Sequence, residues 1–370
     1  MLDLVNKDFS DAEKVDILLD TWDREGEPRH QQRISSLIDK ADFNKSVRAT
    51  SDYSVGLGMQ ITTMFRRHTL LAVRDPMLYT GRTVTFLFCT VFFAIIYIKA
   101  RERTQDQILP RMFFNMFILG VPSCLCVVAV YAYNIEFNAI KREVKNGMVS
   151  PVSYLLTNTL LTIPFMFLFG ISALGVSAYG MLNYNADRFG SLLLIYASYM
   201  FCFESIAQIL SVAFENPLIG MLGYMGAWFN AFLFCGLFIK LTSIVWPFQV
   251  FAYILPLKYA VQAMIYQEFI DTTFEGAALC DPSSSGCQSH SGDTGTEDGW
   301  ICSGSEECWG RTGRQILDSV HPMLDVINPN VITAENIGIL LALAMAAKIG
   351  YVVLMTLRCN AITTITEERK

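Results

Sequence analysis

The sequence predicts an all-α membrane protein with six transmembrane helices, an amphipathic interface helix before the first, and a re-entrant helix ahead of a disulfide-bearing extracellular loop. Three observations carry that expectation. Of 370 residues, 52% are apolar and only 17% charged, where soluble domains carry about a quarter charged. The charges crowd into three stretches and leave long apolar runs between them. Six of those runs approach the ~20 residues needed to cross a bilayer. A net charge of −6 and 26 phenylalanines exclude a disordered chain, a coiled coil and a basic nucleic-acid-binding domain.

The elements follow in order. Residues 1–54 are polar and read as soluble, with short amphipathic helices near 11–19 and 33–38 and a loop from Asp23 to Gln32. The first residues lack a basic stretch followed by an apolar one, so no signal peptide opens the chain and insertion is expected to rely on the first span. Residues 55–76 alternate Met59, Ile61, Met64, Phe65, Leu70 and Leu71 with Arg66, Arg67, His68 and Arg74, the pattern of a helix lying in a membrane interface. Asp75-Pro76 ends it, because proline disfavours helix in the residue before it.

The spans are expected at 77–98, 113–133, 152–179, 189–214, 217–239 and 337–357. Arg82, near the start of the first, is placed to snorkel to the headgroups. Residues 244–270 are apolar but interrupted by Pro247, Pro256 and Lys258. A seventh crossing there would separate the termini, so this stretch is read as a re-entrant helix, allowed where protein covers the broken backbone. The domains are thus 1–54, 55–76, 77–270 with the five spans and the re-entrant helix, 271–335 as the cysteine loop, and 336–370 with the sixth span and a tail.

Orientation follows from basic residues in short loops. Arg66, Arg67 and Arg74, then Lys141, Arg142 and Lys145, then Arg358, Arg369 and Lys370 fall on one side, which becomes the cytoplasmic side with both termini. Lys99, Arg101, Arg103 and Arg111 in the first outer loop weigh against this. Cys280, Cys287, Cys302 and Cys308 then lie outside, in an acidic loop. Four such cysteines suit zinc or two disulfides; an extracellular location favours disulfides, in any of three connectivities. The sequon at Asn44 would face the cytoplasm and stay unused. The membrane is the plasma membrane or an endomembrane.

Some chemistry is missing from the sequence. No phosphate-binding loop occurs, nor any Gly-Lys pair. The four histidines, His30, His68, His290 and His321, all lie outside the spans, which argues against intramembrane metal oxidases, acyltransferases and proteases. A stand-alone channel would require polar rings along the spans, and none is seen. No catalytic or metal-ligating residue is assigned.

The segment after the second span is the most specific. Ile135-Glu136-Phe137-Asn138-Ala139-Ile140-Lys141-Arg142-Glu143-Val144-Lys145-Asn146-Gly147, then Tyr154-Leu155-Leu156 and Ile163-Pro164-Phe165, resembles the E-x-x-x-x-x-R-E-x-x-x-G … Y … I-P-F pattern of the G subfamily (White type) of ATP-binding cassette transporters, whose membrane domain is of the ABC-2 type. Phe234-Cys235-Gly236-Leu237-Phe238, Tyr253-Ile254-Leu255-Pro256-Leu257-Lys258-Tyr259 and Gln267-Glu268-Phe269 resemble its later motifs, with Leu255 for the usual Ser and Gln267 for the usual Asn. The resemblance covers the whole chain.

The resemblance implies roles. Glu136, Asn138, Lys141, Arg142, Glu143 and Asn146 form a coupling helix against a nucleotide-binding domain; the plainer reading of the basic residues is a positive-inside anchor, and the two are compatible. Glu136 and Arg142 would brace this elbow through ion pairs against the interface helix near Arg66 and Arg67. Phe117, Val121 and Cys124 of span two and Met225, Phe229 and Phe232 of span five line a substrate cavity at a dimer interface, or else pack against lipid and neighbours. Leu237 and Phe238 plug its outer end, or simply cap span five. Apart from the resemblance, Glu204 and Lys348 are the clear ionisable residues deep in spans. An ion pair between them is one reading; the plainer ones are a snorkelling lysine and a glutamate held by span-five hydroxyls or water. The family carries its nucleotide-binding domain ahead of the membrane domain, and residues 2–9 resemble the piece that closes it. ATP and Mg therefore belong to a domain outside this sequence, fused upstream or supplied by a partner. The expected function is the permease portion of an ATP-driven exporter of lipids, sterols or other hydrophobic molecules, working as a homo- or heterodimer by alternating access. The alternative is a membrane subunit without ATPase that pairs with a full half-transporter and regulates it.

Overall fold

The computed structural model describes residues 20–32, 56–74, 79–146, 148–281, 287–289, 299–302 and 308–368. The helices expected near 11–19 and 33–38 lie outside them. The chain divides into residues 1–53 and 54–370. In the first unit, residues 20–32 are helical, with π-type winding over Trp22–Gly26, where the sequence suggested a loop. Glu25 and Arg29 pair one turn apart at 3.7 Å. A Cβ on Gly26 would lie 2.3 Å from the Trp22 ring, so the glycine that reads as a breaker makes room for the indole.

The second unit begins with α1 (Leu57–Arg74), which buries Gln60, Met64, His68 and Ala72, a row of every fourth residue. α2 (Thr80–Ile96) buries Arg82, Phe86, Thr90 and Ala94 in the same way and exposes Val84, Phe88, Phe92 and Ile95. Short 3-10 turns at Ile98–Arg101 and Gln105–Gln107 lead to α3 (Ile108–Leu125) and α4 (Val127–Lys145). These two are one helical run broken at Cys126, whose N–H bonds to Ser123 O three residues back, one turn after Pro122. The segment read as a coupling helix is therefore the final turns of α4.

α5 (Pro151–Ala173) starts with Ser150 Oγ accepting from Ser153 N at 3.1 Å and proline at the first position, and its helix continues with π-type winding over Leu174–Met181. α6 (Phe189–Ala213) is the most deeply buried helix and packs against α4, α5, α7 (Pro217–Leu233) and α11 (Thr333–Glu368). Gly220 of α7 lets the two backbones meet: a Cβ there would lie 2.9 Å from Leu210 O. After α7 the chain turns at Gly236, φ +88°. The apolar stretch read as re-entrant resolves into two short helices, α8 (Gln249–Ile254) and α9 (Leu257–Phe269), separated at Leu255-Pro256.

The cysteine loop departs from the all-α expectation. It carries β1 (Ala277–Cys280), β2 (Gln288–Ser289) and β3 (Gly299–Cys302), antiparallel in the order β1-β3-β2. Two disulfides, Cys280–Cys287 and Cys302–Cys308, close the ends of β1 and β3. α10 (Gly313–Val320) follows, with Thr312 and Gln315 forming a capping box.

Among the described residues, four helical runs are long and apolar enough to cross a membrane: Gln105–Val144, Pro151–Met181, Ala186–Ala213 and Thr333–Arg358. Expected spans one and five correspond to the shorter apolar helices Thr80–Ile96 and Pro217–Leu233. At ~1.5 Å per residue each reaches about 25 Å, short of a ~30 Å hydrocarbon core.

α10 sits hard against the end of α9. A Cβ on Gly313 would fall 1.6 Å from Phe269 O. Gly313→Ala is expected to destabilise this joint by about 1–3 kcal/mol. A thermal midpoint of the purified chain unchanged by the substitution would contradict the tight fit.

Candidate functional site

The core charges come from three helices. Arg82 of α2 grips Glu204 of α6 with both ends of its fork, Nη1 to Oε1 at 3.0 Å and Nη2 to Oε2 at 2.7 Å. Tyr133 of α4 donates its hydroxyl to the same Oε1 at 2.7 Å. The guanidinium lies 5.5 Å and 5.2 Å from the Phe86 and Phe169 ring centroids. Both charged side chains are buried. Arg82 thus does not snorkel: a carboxylate inside the bundle outcompetes the distant headgroups.

The expected Glu204–Lys348 pair is not formed. Arg82 and Tyr133 occupy the carboxylate, and Lys348 Nζ instead donates to Gln208 Oε1 at 2.5 Å, one turn along α6. Gln208 Nε2 passes the chain on to Asn158 Oδ1 of α5 at 2.9 Å. The lysine also lies 5.2 Å from the Phe201 ring centroid.

Ser123 of α3 is a second crossing point. Its hydroxyl accepts from Tyr199 at 2.8 Å and from Trp228 Nε1 at 3.0 Å, and its carbonyl accepts from Tyr224 at 2.6 Å. This fastens α3 to α6 and α7. The residues expected to line a cavity are distributed around it. Phe117 stacks on Phe93 of α2 at 4.9 Å, and Phe232 stacks on Trp228 at 5.2 Å over Gly120. Val121, Cys124 and Met225 are partly exposed, and Phe229 is exposed. Leu237 is buried while Phe238 is exposed, its ring 5.2 Å from Phe232, so the expected plug pair divides between core and surface.

The elbow lies where α1 meets α4 and α5. Arg67 Nη1 is 2.6 Å from Glu143 Oε1, and His68 Nδ1 is 3.0 Å from Glu136 Oε1. Gln60 Oε1 accepts from Ser150 N at 3.2 Å and Ser153 Oγ at 2.8 Å. Of the bracing expected from Glu136 and Arg142 against the interface helix near Arg66 and Arg67, Glu136 meets His68 and Arg67 meets Glu143, while Arg142 is exposed. Asn138, Arg142 and Asn146, spaced by four, are exposed along the other side of α4, and Lys141 Nζ lies 6.0 Å from the Phe137 ring centroid.

At the opposite end of α3, Arg111 holds Glu268 of α9, with Nη2 2.5 Å and Nε 3.1 Å from Oε1, and both are buried. Arg111 Nη1 also donates to Ala100 O at 2.7 Å. Gln105 bonds Gly310 O at 2.9 Å and Trp309 N at 3.0 Å, tying the region beyond the sheet to the start of α3. Arg111 had looked like a loop charge. Its signal, visible only afterwards, is that it lies one turn before Asn115 and Leu119 on the buried face of the helix.

Long apolar helices that keep their charges paired inside define an integral membrane domain. Residues 59–269 match the family model described as ABC-2 type transporter, more than half of the chain, and the chain belongs to that family. It is 21% identical over 210 residues to ABC transporter G family member STR of Petunia hybrida, covering 57% of this chain and 25% of that protein. It is 22% identical over 248 residues to the Brefeldin A resistance protein of Schizosaccharomyces pombe, covering 65% of this chain and 16% of that protein. The matches thus span about a quarter and about a sixth of these two relatives.

Breaking the buried pair from one side is expected to be severe. Glu204→Leu leaves Arg82 uncompensated, a loss of about 3–5 kcal/mol, whereas Glu204→Leu with Arg82→Met should recover most of it. Lys348→Met leaves the Arg82 pair intact and is expected to cost less, about 1–3 kcal/mol for the unmet Gln208 acceptor. Thermal melts of the three variants give the ranking; a double variant no better than Glu204→Leu would show the pair is not the cause.

Proposed function

We propose that the chain is the permease portion of an ATP-driven exporter that moves hydrophobic molecules across a membrane. The observation that carries this reading is the unbroken helix α4. One rigid element holds Tyr133 in the buried charge cluster and, from about one to four turns further on, the exposed row Asn138, Arg142 and Asn146. A nucleotide-binding domain pressing on that row would move α4 and α1 together, because Arg67–Glu143 and His68–Glu136 join them. The names of the Petunia and fission-yeast relatives, an ABC transporter G family member and a Brefeldin A resistance protein, support a transporter.

In this reading all six apolar helices cross, α8 and α9 form the re-entrant hairpin, the sheet lies outside, and both termini are cytoplasmic. α7 exposes Leu218, Leu222 and Phe229 on its surface. That apolar face suits a second half-transporter, with Phe117, Val121, Cys124, Met225, Phe229 and Phe232 lining the shared path. The chain's own residues do not fit ATP and Mg. The sequence has no phosphate-binding loop, and among the described residues no group of three His, Cys, Asp or Glu suits a metal ion. ATP and Mg would be held by the nucleotide-binding domain.

The test is transport in proteoliposomes holding this chain with a nucleotide-binding half-transporter or fused to its ATPase domain. Arg142→Glu reverses the charge at the contact. It is expected to reduce ATP-dependent export of a hydrophobic dye at least about tenfold, equivalent to ~1.4 kcal/mol of coupling, with the thermal midpoint unchanged. Export that never depends on this chain, with ATPase of the partner altered instead, would favour the regulatory-subunit reading.

A further inference from the structure

The elbow encloses a cavity of about 340 Å³ between α1, the start of α2, α4 and α5. None of the six residues assigned to the substrate path lines it. Its walls are largely apolar, with Leu71, Ile135 and Leu161 among them, and Tyr79 and Tyr131 line it as well, the Tyr79 ring stacked on Phe165 at 3.9 Å. Leu71, Tyr131 and Ile135 are exposed, so the cavity opens along the flank of the bundle rather than into its core. Glu136 is the one carboxylate of its lining, and no arginine or lysine joins it. The arginine nearest in sequence, Arg67, is directed to Glu143. The amide oxygen of Asn158, which also lines the cavity, is already used by Gln208. Glu136 Oε1 lies 3.0 Å from His68 Nδ1, whereas His68 Nε2 lacks a hydrogen-bond partner among the described residues, and His68 is 7% exposed.

We infer that this cavity is a binding site for a hydrophobic ammonium, an amphiphile with one cationic head and an apolar body. A carboxylate offers negative charge, tyrosine rings in the lining attract a cation, and the apolar walls take the chain. The volume lies at the small end of ligand pockets, about 300–1,000 Å³, which suits a single alkyl chain. An anionic head would meet Glu136 with like charge, and a neutral head would gain no charge attraction from it. The site shares Glu136 and His68 with the brace between α1 and α4, so an occupant would press directly on that joint.

The test uses the full chain in lipid nanodiscs, without ATP or a transport partner, so its outcome is independent of the exporter reading. Three photoreactive probes with one dodecyl chain are compared: an ammonium, an alcohol and a sulfate. Cross-linked peptides are mapped by mass spectrometry. The ammonium is expected to label α1 around Leu71 and α4 around Tyr131 to Ile135, ahead of the other two. Glu136→Gln should weaken its half-saturation about tenfold while leaving the alcohol unchanged, and Glu136→Asp should retain most of the preference. Ala132→Phe, which fills the cavity, should remove labelling by both. Each variant is scored only as a monodisperse species, with Leu161→Phe as the second filling variant should Ala132→Phe not fold. Equal labelling by ammonium and alcohol, an unaltered Glu136→Gln, or labelling centred on Phe117 and Phe229 would overturn the assignment.

Discussion

The bundle is organised by the cost of placing a guanidinium and a carboxylate among apolar helices. An isolated charge there is prohibitive, so Arg82 and Glu204 have to meet, and meeting fixes where α2 and α6 lie. Tyr133 brings α4 to the same carboxylate. One turn along α6, Gln208 draws in α5 through Asn158 and α11 through Lys348. Five helices are thus registered by two polar side chains of α6, spaced four apart. Apolar packing around them is strong but non-directional; the polar contacts choose one register from many of similar burial.

The same economy governs the two ends. At one end Arg67–Glu143 and the Gln60 carbonyl hold α1 to α4 and α5. At the other Arg111–Glu268 and Gln105 hold α9 and the segment after the sheet to the start of α3. Neither disulfide crosses between these layers: each closes a turn of six or seven residues within the cysteine loop. The attachment of that loop to the helices rests on hydrogen bonds and on the fit of Gly313 against Phe269.

Much of this was legible because its signals are local. Proline at position one and a capping Ser or Asn set the starts of α5 and α7 within a residue of expectation. The apolar run of α6 was bounded to within one residue at its end. What the sequence did not disclose depends on distant partners. Arg82 near a helix start reads as a snorkelling residue until Glu204, 122 positions on, is seen beside it. Lys348 and Glu204 were recognised as buried charges, yet which polar group each takes depends on helix rotation, and rotation by one turn gave the lysine to Gln208. The second span was expected to end at Tyr133, but α4 continues to Lys145 because its inner face, Phe137 and Ile140, stays buried. The strands of the cysteine loop have too few residues to show a pattern.

The spacing of the central pair also sets an order of events at the ribosome. α2 emerges 122 residues before the carboxylate that neutralises its arginine. At about 5–20 residues per second, that delay is on the order of ten seconds. Through that interval the nascent helix carries a bare cation in a sequence apolar enough to enter lipid. It must remain at the interface, be shielded by the insertion machinery, or draw water inward until α6 arrives. α2 therefore reaches its final place only after α6 has been made, and assembly proceeds around α6 rather than in the order of synthesis.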